Sequence, residues 1–428
     1  MYDINEEGSL KKRDQDHIWH PLTQHKTASE MLPVKSSKGC ILTDHSGKEY
    51  IDGISSWYTA VYGHCNEYIT GKVAAQMQEL DQIVFSGFTH KPAIDLAEAL
   101  VKILPEGQQK LFFNDNGSTA TEIGIKMALQ YHFNQGNDRK VMLAFEEGFH
   151  GDTFGAMSVS GLSVYNGAFE DHFIRVERIP VPTGENNAEV CELLRSKISE
   201  FRIAGFIYEP LIQGAAAMKF HDAEGLNEIL KICKENDIVL VADEVMTGFG
   251  KTGSYFASDH VSTKPDVVCM SKALTAGLLP MGLTSCSQKI FNAFYSEKIE
   301  KGLFHGHTYT ANPLACRAAL AGLELLVSDQ IQLNIQRISK SNQEFADRFR
   351  DHPKVKNIRS LGVILAFELD VQIERYGGLR DQLFRYFMEN GVFLRPLGNT
   401  IYILPPYVIS EEELQKVHKV LEGSLSEF

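Results

Sequence analysis

The sequence predicts an α/β protein with a large domain, built on a mostly parallel sheet covered by helices, and a smaller α+β domain. Short apolar runs alternate with helical patterns through the middle of the chain, which is typical of parallel sheets with helices on both faces. From about Ser328 the pattern changes to an amphipathic helix followed by paired strands. A chain of 428 residues is also too long for one compact core, so we expect two domains.

The order of the elements predicts three segments. Residues 1–60 are expected to form an N-terminal segment that packs with the small domain, residues 61–327 the large domain, and residues 328–428 the C-terminal α+β domain. The polar first residues predict an irregular start. The segment G-C-I-L-T-D-H-S-G-K-E-Y-I-D-G predicts a hairpin, and helical patterns follow at roughly 69–80 and 92–104.

Composition narrows the class of protein. The net charge of −13 argues against nucleic acid or an anionic membrane as the principal partner. The seven cysteines are scattered and never form C-x-x-C, which favours reduced thiols over a zinc site or a disulfide framework. The first residues lack an apolar signal core, and no run approaches the ~20 apolar residues of a membrane span. We therefore expect a soluble, cytoplasmic protein without a bound metal.

Two apolar runs in the middle of the chain each end in a charged residue. The stretch P-D-V-V-C-M-S-K-A-L-T-A-G delivers Lys272, and the run I-V-L-V-A-D-E-V delivers Asp243. Open α/β sheets place their chemistry at the carboxyl ends of strands. Pyridoxal phosphate requires a lysine that bonds it covalently and an acid that holds the proton on its ring nitrogen. A structural ion pair would produce the same pattern, so these two residues alone leave both interpretations open.

A candidate phosphate site precedes these runs. The segment K-L-F-F-N-D-N-G-S-T-A-T-E predicts a strand, a turn and a helix, with a capping box between Thr119 and Glu122. Gly117 and Ser118 then lie at the amino end of the helix, where free N–H groups and the helix dipole favour a phosphate. Phe149, in a Gly-rich turn after the next strand, is a candidate for stacking on a planar ring. An ordinary helix cap and a core phenylalanine are the structural alternatives.

Later motifs give weaker signals. The segment G-F-G-K-T-G fails the Walker pattern, which requires glycine where Val245 stands, and it does not open a helix as a dinucleotide motif would. We interpret it as a flexible active-site loop. Thr308 offers a hydroxyl group to an anion. Arg395, between apolar neighbours and before a proline, is either a carboxylate-binding residue or part of a structural ion pair.

Taken together, these residues resemble those of the class III, fold-type I aminotransferases that use pyridoxal phosphate, and the resemblance runs nearly end to end. It rests on A-D-E around Asp243 and S-K-A around Lys272. It implies that Lys272 bonds the cofactor and shuttles a proton, while Asp243 binds the ring nitrogen. It also implies a homodimer in which the cofactor is contacted by Gly117, Ser118, Phe149 and, from the second subunit, Thr308. The substrate residues that it implies are Trp57, Tyr58, Gly306, Arg395 and Tyr402.

Within that family, the segments H-I-W-H-P-L-T-Q, D-G-I-S-S-W-Y and F-L-R-P-L-G-N-T resemble the biotin-synthesis branch, which converts 8-amino-7-oxononanoate to 7,8-diaminononanoate with S-adenosylmethionine as donor. Arg395 would bind the carboxylate of the keto substrate. The chain departs from the commonest family pattern at Leu22, Phe149, Lys251 and His307. These departures leave the reaction type intact but leave the donor open between S-adenosylmethionine and lysine.

Three alternatives remain at this point. The nearest is another class III aminotransferase that takes an ω-amine, such as ornithine, 4-aminobutyrate or a diamine, since it would share every cofactor residue. A nucleotide-binding protein built on G-F-G-K-T-G is the second. A non-catalytic regulator or scaffold with this fold is the third, and intact Lys272 and Asp243 argue against it.

Overall fold

The computed structural model describes residues 7–161, 166–371 and 378–428. It begins with helix α1 (Glu7–His17), so the expectation of an irregular start is wrong for this segment. An antiparallel sheet follows, and the hairpin between its second and third strands is confirmed. The three strands are β1 (Val34–Lys38), β2 (Ile41–Asp44) and β3 (Glu49–Asp52).

The middle of the chain supplies the strands of the main sheet and of a separate two-stranded pair. They are β4 (Gln108–Asn114), β5 (Val141–Phe145), β6 (Val176–Ile179), β7 (Ile203–Tyr208), β8 (Ile212–Gln213), β9 (Lys219–Phe220), β10 (Val239–Asp243), β11 (Val267–Met270) and β12 (Gly282–Ser287). Strands β8 and β9 form a separate antiparallel pair, and the other seven form one sheet in the order β4-β12-β11-β10-β7-β5-β6. Within that sheet β12 runs antiparallel to both neighbours, and the remaining adjacent pairs are parallel. The predicted mostly parallel sheet is therefore confirmed.

The helices of residues 55–326 lie before, between and after these strands. They are α2 (Ser55–Tyr58, a single turn), α3 (Glu67–Met77), α4 (Lys91–Val101), α5 (Gly117–Asn134), α6 (Phe154–Val159), α7 (Asn187–Glu200), α8 (Ala223–Glu235), α9 (Gln288–Phe294) and α10 (Pro313–Leu326). Short 3-10 helices occupy Gly167–His172, Ala257–His260, Lys272–Thr275 and Ile299–Lys301. In the described ranges, none of the helices has the length and apolar character that crossing a membrane requires.

The burial pattern of β10 shows why both faces of the sheet are covered. Val239 and Val241 pack into one hydrophobic cluster together with Ile123 of α5. Leu240 and Ala242, which point to the opposite face, belong to the other cluster, beneath α8. Because successive side chains of a strand alternate between faces, a run that is apolar at every position needs cover on both sides. Full burial of each larger side chain contributes roughly 1.5–3 kcal/mol.

Helix α5 begins one turn earlier than the predicted capping box implied. Asn116 and Thr119 form the box: the Asn116 side chain accepts the Thr119 N–H at 2.9 Å, and the Thr119 hydroxyl accepts the Asn116 N–H at 3.2 Å. Glu122 turns towards α6 instead, where it accepts the Thr153 hydroxyl at 2.6 Å and the Ala156 N–H at 3.0 Å. The first turn of α5 therefore keeps N–H groups that lack intrahelical partners at its amino end.

The C-terminal part is an α+β unit. Its elements are α11 (Asp329–Phe349), β13 (Val355–Leu361), β14 (Ile364–Leu369), α12 (Gly378–Glu389), β15 (Val392–Phe393), β16 (Thr400–Ile403) and α13 (Glu411–Glu427). Strands β13, β14 and β16 form an antiparallel sheet, whereas β15 pairs in parallel with β3 of the N-terminal sheet. The division into residues 1–60, 61–327 and 328–428 stays a proposal. The pairing of β15 with β3 supports the part of it that packs the N-terminal segment with the C-terminal domain.

The topology also sets the position of the two charged residues that follow apolar runs. Strands β10 and β11 are adjacent and parallel, with Asp243 beside Cys269 in the register. Asp243 is the last residue of β10, and Lys272 comes two positions after the end of β11. Both residues therefore lie at one edge of the sheet, as the sequence predicts.

Candidate active site

Two hydrogen bonds fix the carboxylate of Asp243 at this edge. Its Oδ2 lies 2.7 Å from Nδ1 of His150, and its Oδ1 accepts the Val245 N–H at 3.0 Å. Asp243 and His150 are both buried, so this charge-assisted contact holds the carboxylate in one orientation. The sequence analysis missed His150. The available signal was its position beside Phe149, in a Gly-rich turn that follows another parallel strand.

Lys272 starts a short 3-10 helix directly after β11, with a positive φ of 46° that non-glycine residues seldom adopt. Its side chain is partly buried. Loss of hydration lowers the pKa of the amine, and the carboxylates of Asp243 and Glu209 partly offset that effect. Nζ lies 5.4 Å from the centre of the Tyr58 ring. A lysine whose pKa is lowered has a larger neutral fraction, which is the nucleophilic form of an amine.

The amino end of α5 lies against both strand ends. A Cβ added to Gly117 would come within 2.9 Å of the Val245 side chain and 3.7 Å of Ser271 Cβ, so only glycine fits here. Gly151 approaches the same helix end: its φ is +126°, and a Cβ there would lie 2.3 Å from the Ser118 hydroxyl. That hydroxyl accepts the Asp152 N–H at 3.1 Å. The helix end, the turn after β5 and the two strand ends thus enclose one small region.

Glu209 connects Phe149 to this region. It follows β7, the neighbour of β10, and its two oxygens accept the Phe149 N–H at 3.0 Å and the Gly214 N–H at 2.9 Å. Burial raises the pKa of Glu209 to about 7, with His150 opposing and Asp243 adding to the effect. The Phe149 ring itself is 41% exposed, so its face is open to a ligand. The sequence patterns assigned no role to Glu209.

Trp57 and Tyr58 belong to a turn that is wound left-handed. The φ angles of Ser55, Ser56, Trp57 and Tyr58 are 49°, 45°, 65° and 74°. A left-handed conformation costs a residue with a Cβ roughly 1–2 kcal/mol, so the surrounding structure must hold the turn. Strain of this kind is concentrated at functional sites. No sequence motif predicted it, because none of the four residues is glycine or asparagine.

This turn meets two residues from the C-terminal unit. The guanidinium carbon of Arg395 lies 4.8 Å from the centre of the Trp57 ring, and the Tyr58 hydroxyl donates to the Tyr402 hydroxyl at 2.9 Å. Tyr58 and Tyr402 are buried, whereas Trp57 and Arg395 are exposed. Lys272 lies over the Tyr58 ring. We call the continuous surface formed by Trp57, Tyr58, Arg395 and Tyr402 the wall. It leads from the Lys272 amine to the exposed guanidinium of Arg395.

Thr308 and Gly306 lie apart from this cluster in the same chain. Both are exposed, in the irregular segment before α10. The Thr308 carbonyl oxygen accepts the side chain of Gln82 at 2.9 Å. Among the contacts found in the described parts of the chain, none joins Thr308 to the helix end at Gly117.

The segment G-F-G-K-T-G is packed in the interior, so the expectation of a flexible loop is wrong. Lys251 is buried and donates to the Gly248 carbonyl at 2.9 Å. The Tyr407 hydroxyl donates to the Phe249 carbonyl at 2.6 Å, and the Val363 N–H donates to the Lys251 carbonyl at 2.9 Å. Burial lowers the pKa of Lys251 to about 7, and the nearby charge of Lys272 adds to the effect. The segment therefore ties the C-terminal unit to the end of β10.

The residues at this edge fit pyridoxal phosphate. A lysine amine, a carboxylate held by a histidine, a helix amino end narrowed by glycines and an open phenylalanine face match its aldehyde, ring nitrogen, phosphate and ring plane. In the described parts of the chain, His, Cys, Asp and Glu side chains form no group of three arranged to hold a metal ion.

Comparisons with known proteins agree with this chemistry. The class-III aminotransferase family model matches residues 23–425. Adenosylmethionine-8-amino-7-oxononanoate aminotransferase of Synechococcus elongatus is 40% identical over 423 residues, which cover 96% of this chain and 99% of that protein. The enzyme of the same name from Geobacter sulfurreducens is 36% identical over 444 residues, covering 97% of both chains.

Solved structures give the same picture. The crystal structure of adenosylmethionine-8-amino-7-oxononanoate aminotransferase from Methanocaldococcus jannaschii has a TM-score of 0.93 and 34% identity, covering 99% of both chains. An amine transaminase from an uncultivated Pseudomonas species, in its PLP-bound form, has a TM-score of 0.89 and 27% identity, covering 96% of this chain and 98% of that one. The predicted fold type I is therefore confirmed, and the chain belongs to the class-III aminotransferase family as a pyridoxal-phosphate-dependent aminotransferase.

Proposed function

We propose that this aminotransferase converts 8-amino-7-oxononanoate to 7,8-diaminononanoate in biotin synthesis, with S-adenosylmethionine as the amino donor. The names of the relatives support this assignment. The observation that carries it is the wall that runs from Lys272 over Tyr58 to the exposed guanidinium of Arg395. The keto substrate has an apolar chain with a reacting carbonyl group near one end and a carboxylate at the other. The amine of Lys272 can meet the carbonyl group, and the guanidinium of Arg395 can meet the carboxylate.

In this proposal, the residues of the sheet edge hold the cofactor. Lys272 would bond it and, once the amino group of the substrate has displaced that bond, would move a proton to and from the reacting carbon of the substrate. Asp243, held by His150, keeps a proton on the ring nitrogen. Bound pyridoxal phosphate supplies the electron sink that stabilises negative charge on that carbon. The N–H groups of Gly117 and Ser118 bind its phosphate, and Phe149 packs on its ring.

The substrate contacts come from both ends of the chain. Arg395 pairs with the carboxylate of the keto substrate, and its stacking on Trp57 keeps the guanidinium in place. The apolar part of the substrate is lined by Trp57, Tyr58 and Tyr402, and Gly306, which lies apart from them in the same chain, would join them from the second subunit.

We also infer a homodimer with shared active sites. Thr308 is exposed and bound to Gln82 within its own chain, which suits a residue that reaches the cofactor phosphate of the other subunit. A cytoplasmic location is part of the proposal as well, because all seven cysteines are free.

Lysine is the second candidate for the amino donor. Leu22, which is 68% exposed, and Phe149 lack the hydroxyl group that tyrosine brings to these positions in most family members. At the other two departures, Lys251 stands where arginine is frequent in the family, and His307 stands where proline is common. In this proposal these departures leave the reaction type intact, and the donor stays open between S-adenosylmethionine and lysine.

A half-reaction screen tests the proposal. The purified, cofactor-loaded enzyme is mixed separately with S-adenosylmethionine, lysine, ornithine and 4-aminobutyrate, and amination of the cofactor is followed by absorbance. We expect conversion with S-adenosylmethionine and return of the original spectrum when 8-amino-7-oxononanoate is added. Conversion by lysine alone would change the donor and keep the acceptor. A response restricted to ornithine or 4-aminobutyrate would overturn the assignment of the substrate.

A further inference from the structure

The left-handed turn Ser55–Tyr58 is hydrogen-bonded to a buried aspartate, Asp52. Asp52, the last residue of β3, is fully buried. Its Oδ2 accepts the Ser56 hydroxyl at 3.0 Å and lies 2.8 Å from Nε2 of His64, while its Oδ1 accepts the Ile54 N–H at 3.1 Å. The Asp52 carboxylate therefore binds both Ile54, directly before the turn, and Ser56, within it.

The turn is also tied to the strands that carry the other half of the wall. The Ser55 hydroxyl donates to the Leu404 carbonyl at 2.7 Å, and the Gly53 N–H donates to the Phe393 carbonyl at 3.1 Å. These two partners are close in sequence to Tyr402 and Arg395. A shift of the turn would thus move Trp57 and Tyr58 relative to the C-terminal residues that they contact.

We propose that Asp52 is a positioning residue for substrate selection, which holds the strained turn so that Trp57 stacks on Arg395 and Tyr58 stays between Lys272 and Tyr402. The occupant of the wall is a carboxylate at the end of a long apolar chain, because a cation backed by an aromatic ring recognises the first and the rings cover the second. The identity of that acceptor rests on the proposed function, whereas the placement of Trp57 does not.

The experiment uses Trp57 as its own reporter. The chain has two tryptophans, and Trp19 is 89% exposed, so Trp19→Phe leaves Trp57 as the single tryptophan, which is excited selectively at wavelengths where tyrosine does not absorb. Acrylamide quenching of Trp57 is measured with and without Asp52→Asn, together with the acceptor KM and the rate of the donor half-reaction. We expect quenching to rise about twofold and the acceptor KM to rise about tenfold, with the donor half-reaction within about twofold of its original rate.

Asp44→Asn is the matched control. Asp44 is likewise buried at the end of a strand, and it holds an ordinary hairpin turn by accepting the N–H groups of Ser46 and Lys48 at 2.9 Å. It should lower the melting temperature but leave Trp57 quenching and the acceptor KM unchanged. Ser56→Ala removes the hydroxyl bonded to Asp52 while keeping the carboxylate, and it decides the matter if Asp52→Asn does not fold.

Wild-type quenching and acceptor KM in both Asp52→Asn and Ser56→Ala would overturn the proposal, because the network would then serve stability alone. Equal changes in Asp44→Asn would overturn it as well. If no donor aminates the cofactor of the wild-type enzyme, the proposed function fails, but the quenching comparison still decides whether Asp52 places Trp57.

Discussion

The proposed cofactor half of the site is built from one edge of one sheet, whereas the proposed substrate half is built from the two ends of the chain. Asp243 and Lys272 follow adjacent parallel strands, so their proximity is a property of the sheet. Trp57 and Arg395 meet only because β3 pairs with β15 and a strained turn is held in place. Under the proposed function, the chemical step and the choice of substrate then depend on separate parts of the structure, and we expect that they can be altered separately.

The largest effect is expected from Lys272→Ala, which removes the amine from the sheet edge. Amino transfer should fall by at least about 10³-fold, because both the covalent bond and the proton shuttle are lost. The half-reaction rate and the circular dichroism spectrum are the measurements. Lys264→Ala, which removes a lysine that donates to the Val261 carbonyl at 2.7 Å, is the control and should retain activity. Turnover of Lys272→Ala at the wild-type rate would contradict the assignment.

Asp243→Asn should lower the rate about a hundredfold, because it removes a preorganised charge while keeping the shape of the side chain. Asp266→Asn is its control in the same sheet: Asp266 is also buried and accepts the Leu240 N–H at 2.9 Å, away from the carboxyl ends of the strands. We expect both variants to lose stability but only Asp243→Asn to lose the rate. A similar rate loss in both variants would mean that the loss in Asp243→Asn comes from a destabilised fold and not from the missing charge at the site.

Arg395→Ala tests the other half of the site. The acceptor KM should rise about 10- to 100-fold, as expected for the loss of a hydrogen-bonded charge pair, while the donor half-reaction changes little. Arg348→Ala removes an arginine whose guanidinium carbon lies 4.7 Å from the Phe349 ring, and it should leave the acceptor KM unaltered. An unchanged acceptor KM in Arg395→Ala would move the carboxylate site elsewhere.

The smallest effect concerns Glu209, whose pKa rises from 4.5 to about 7 in the folded protein. The folded state then binds more protons than the unfolded state between these values, so this contribution to stability is present below pH 4.5 and is lost as the pH rises through 7. The full contribution amounts to about 3 kcal/mol. Denaturant unfolding at pH 5.5 and pH 8.5 should show a smaller difference for Glu209→Gln than for the wild type. Identical differences would show that Glu209 does not titrate in this range.

How much the sequence could predict follows the same division. The strand ends at Asp243 and Lys272 and the helix end at Gly117 were predictable because apolar runs and local turn residues encode them. The contact of His150 with Asp243 spans 93 positions of sequence, and no local pattern reports a partner so distant. The burial of Lys251 was missed for the same reason, since Val363 and Tyr407, which bond the carbonyl groups of Lys251 and Phe249, belong to the C-terminal unit. The turn at Trp57 was missed because long-range contacts override the local preferences of its residues.

The bond from Ser55 to Leu404 joins residues 349 positions apart, and the contact of Tyr58 with Tyr402 spans 344. Since synthesis runs from the amino end, a nascent chain completes the residues of the cofactor edge, through Lys272, long before Leu404 leaves the ribosome. The substrate wall is therefore the last part of the site to assemble during synthesis. Closing so long a loop is slow compared with local folding. Chains that stop short of residue 404 would retain the residues proposed to bind the cofactor and lack the contacts proposed to select an acceptor.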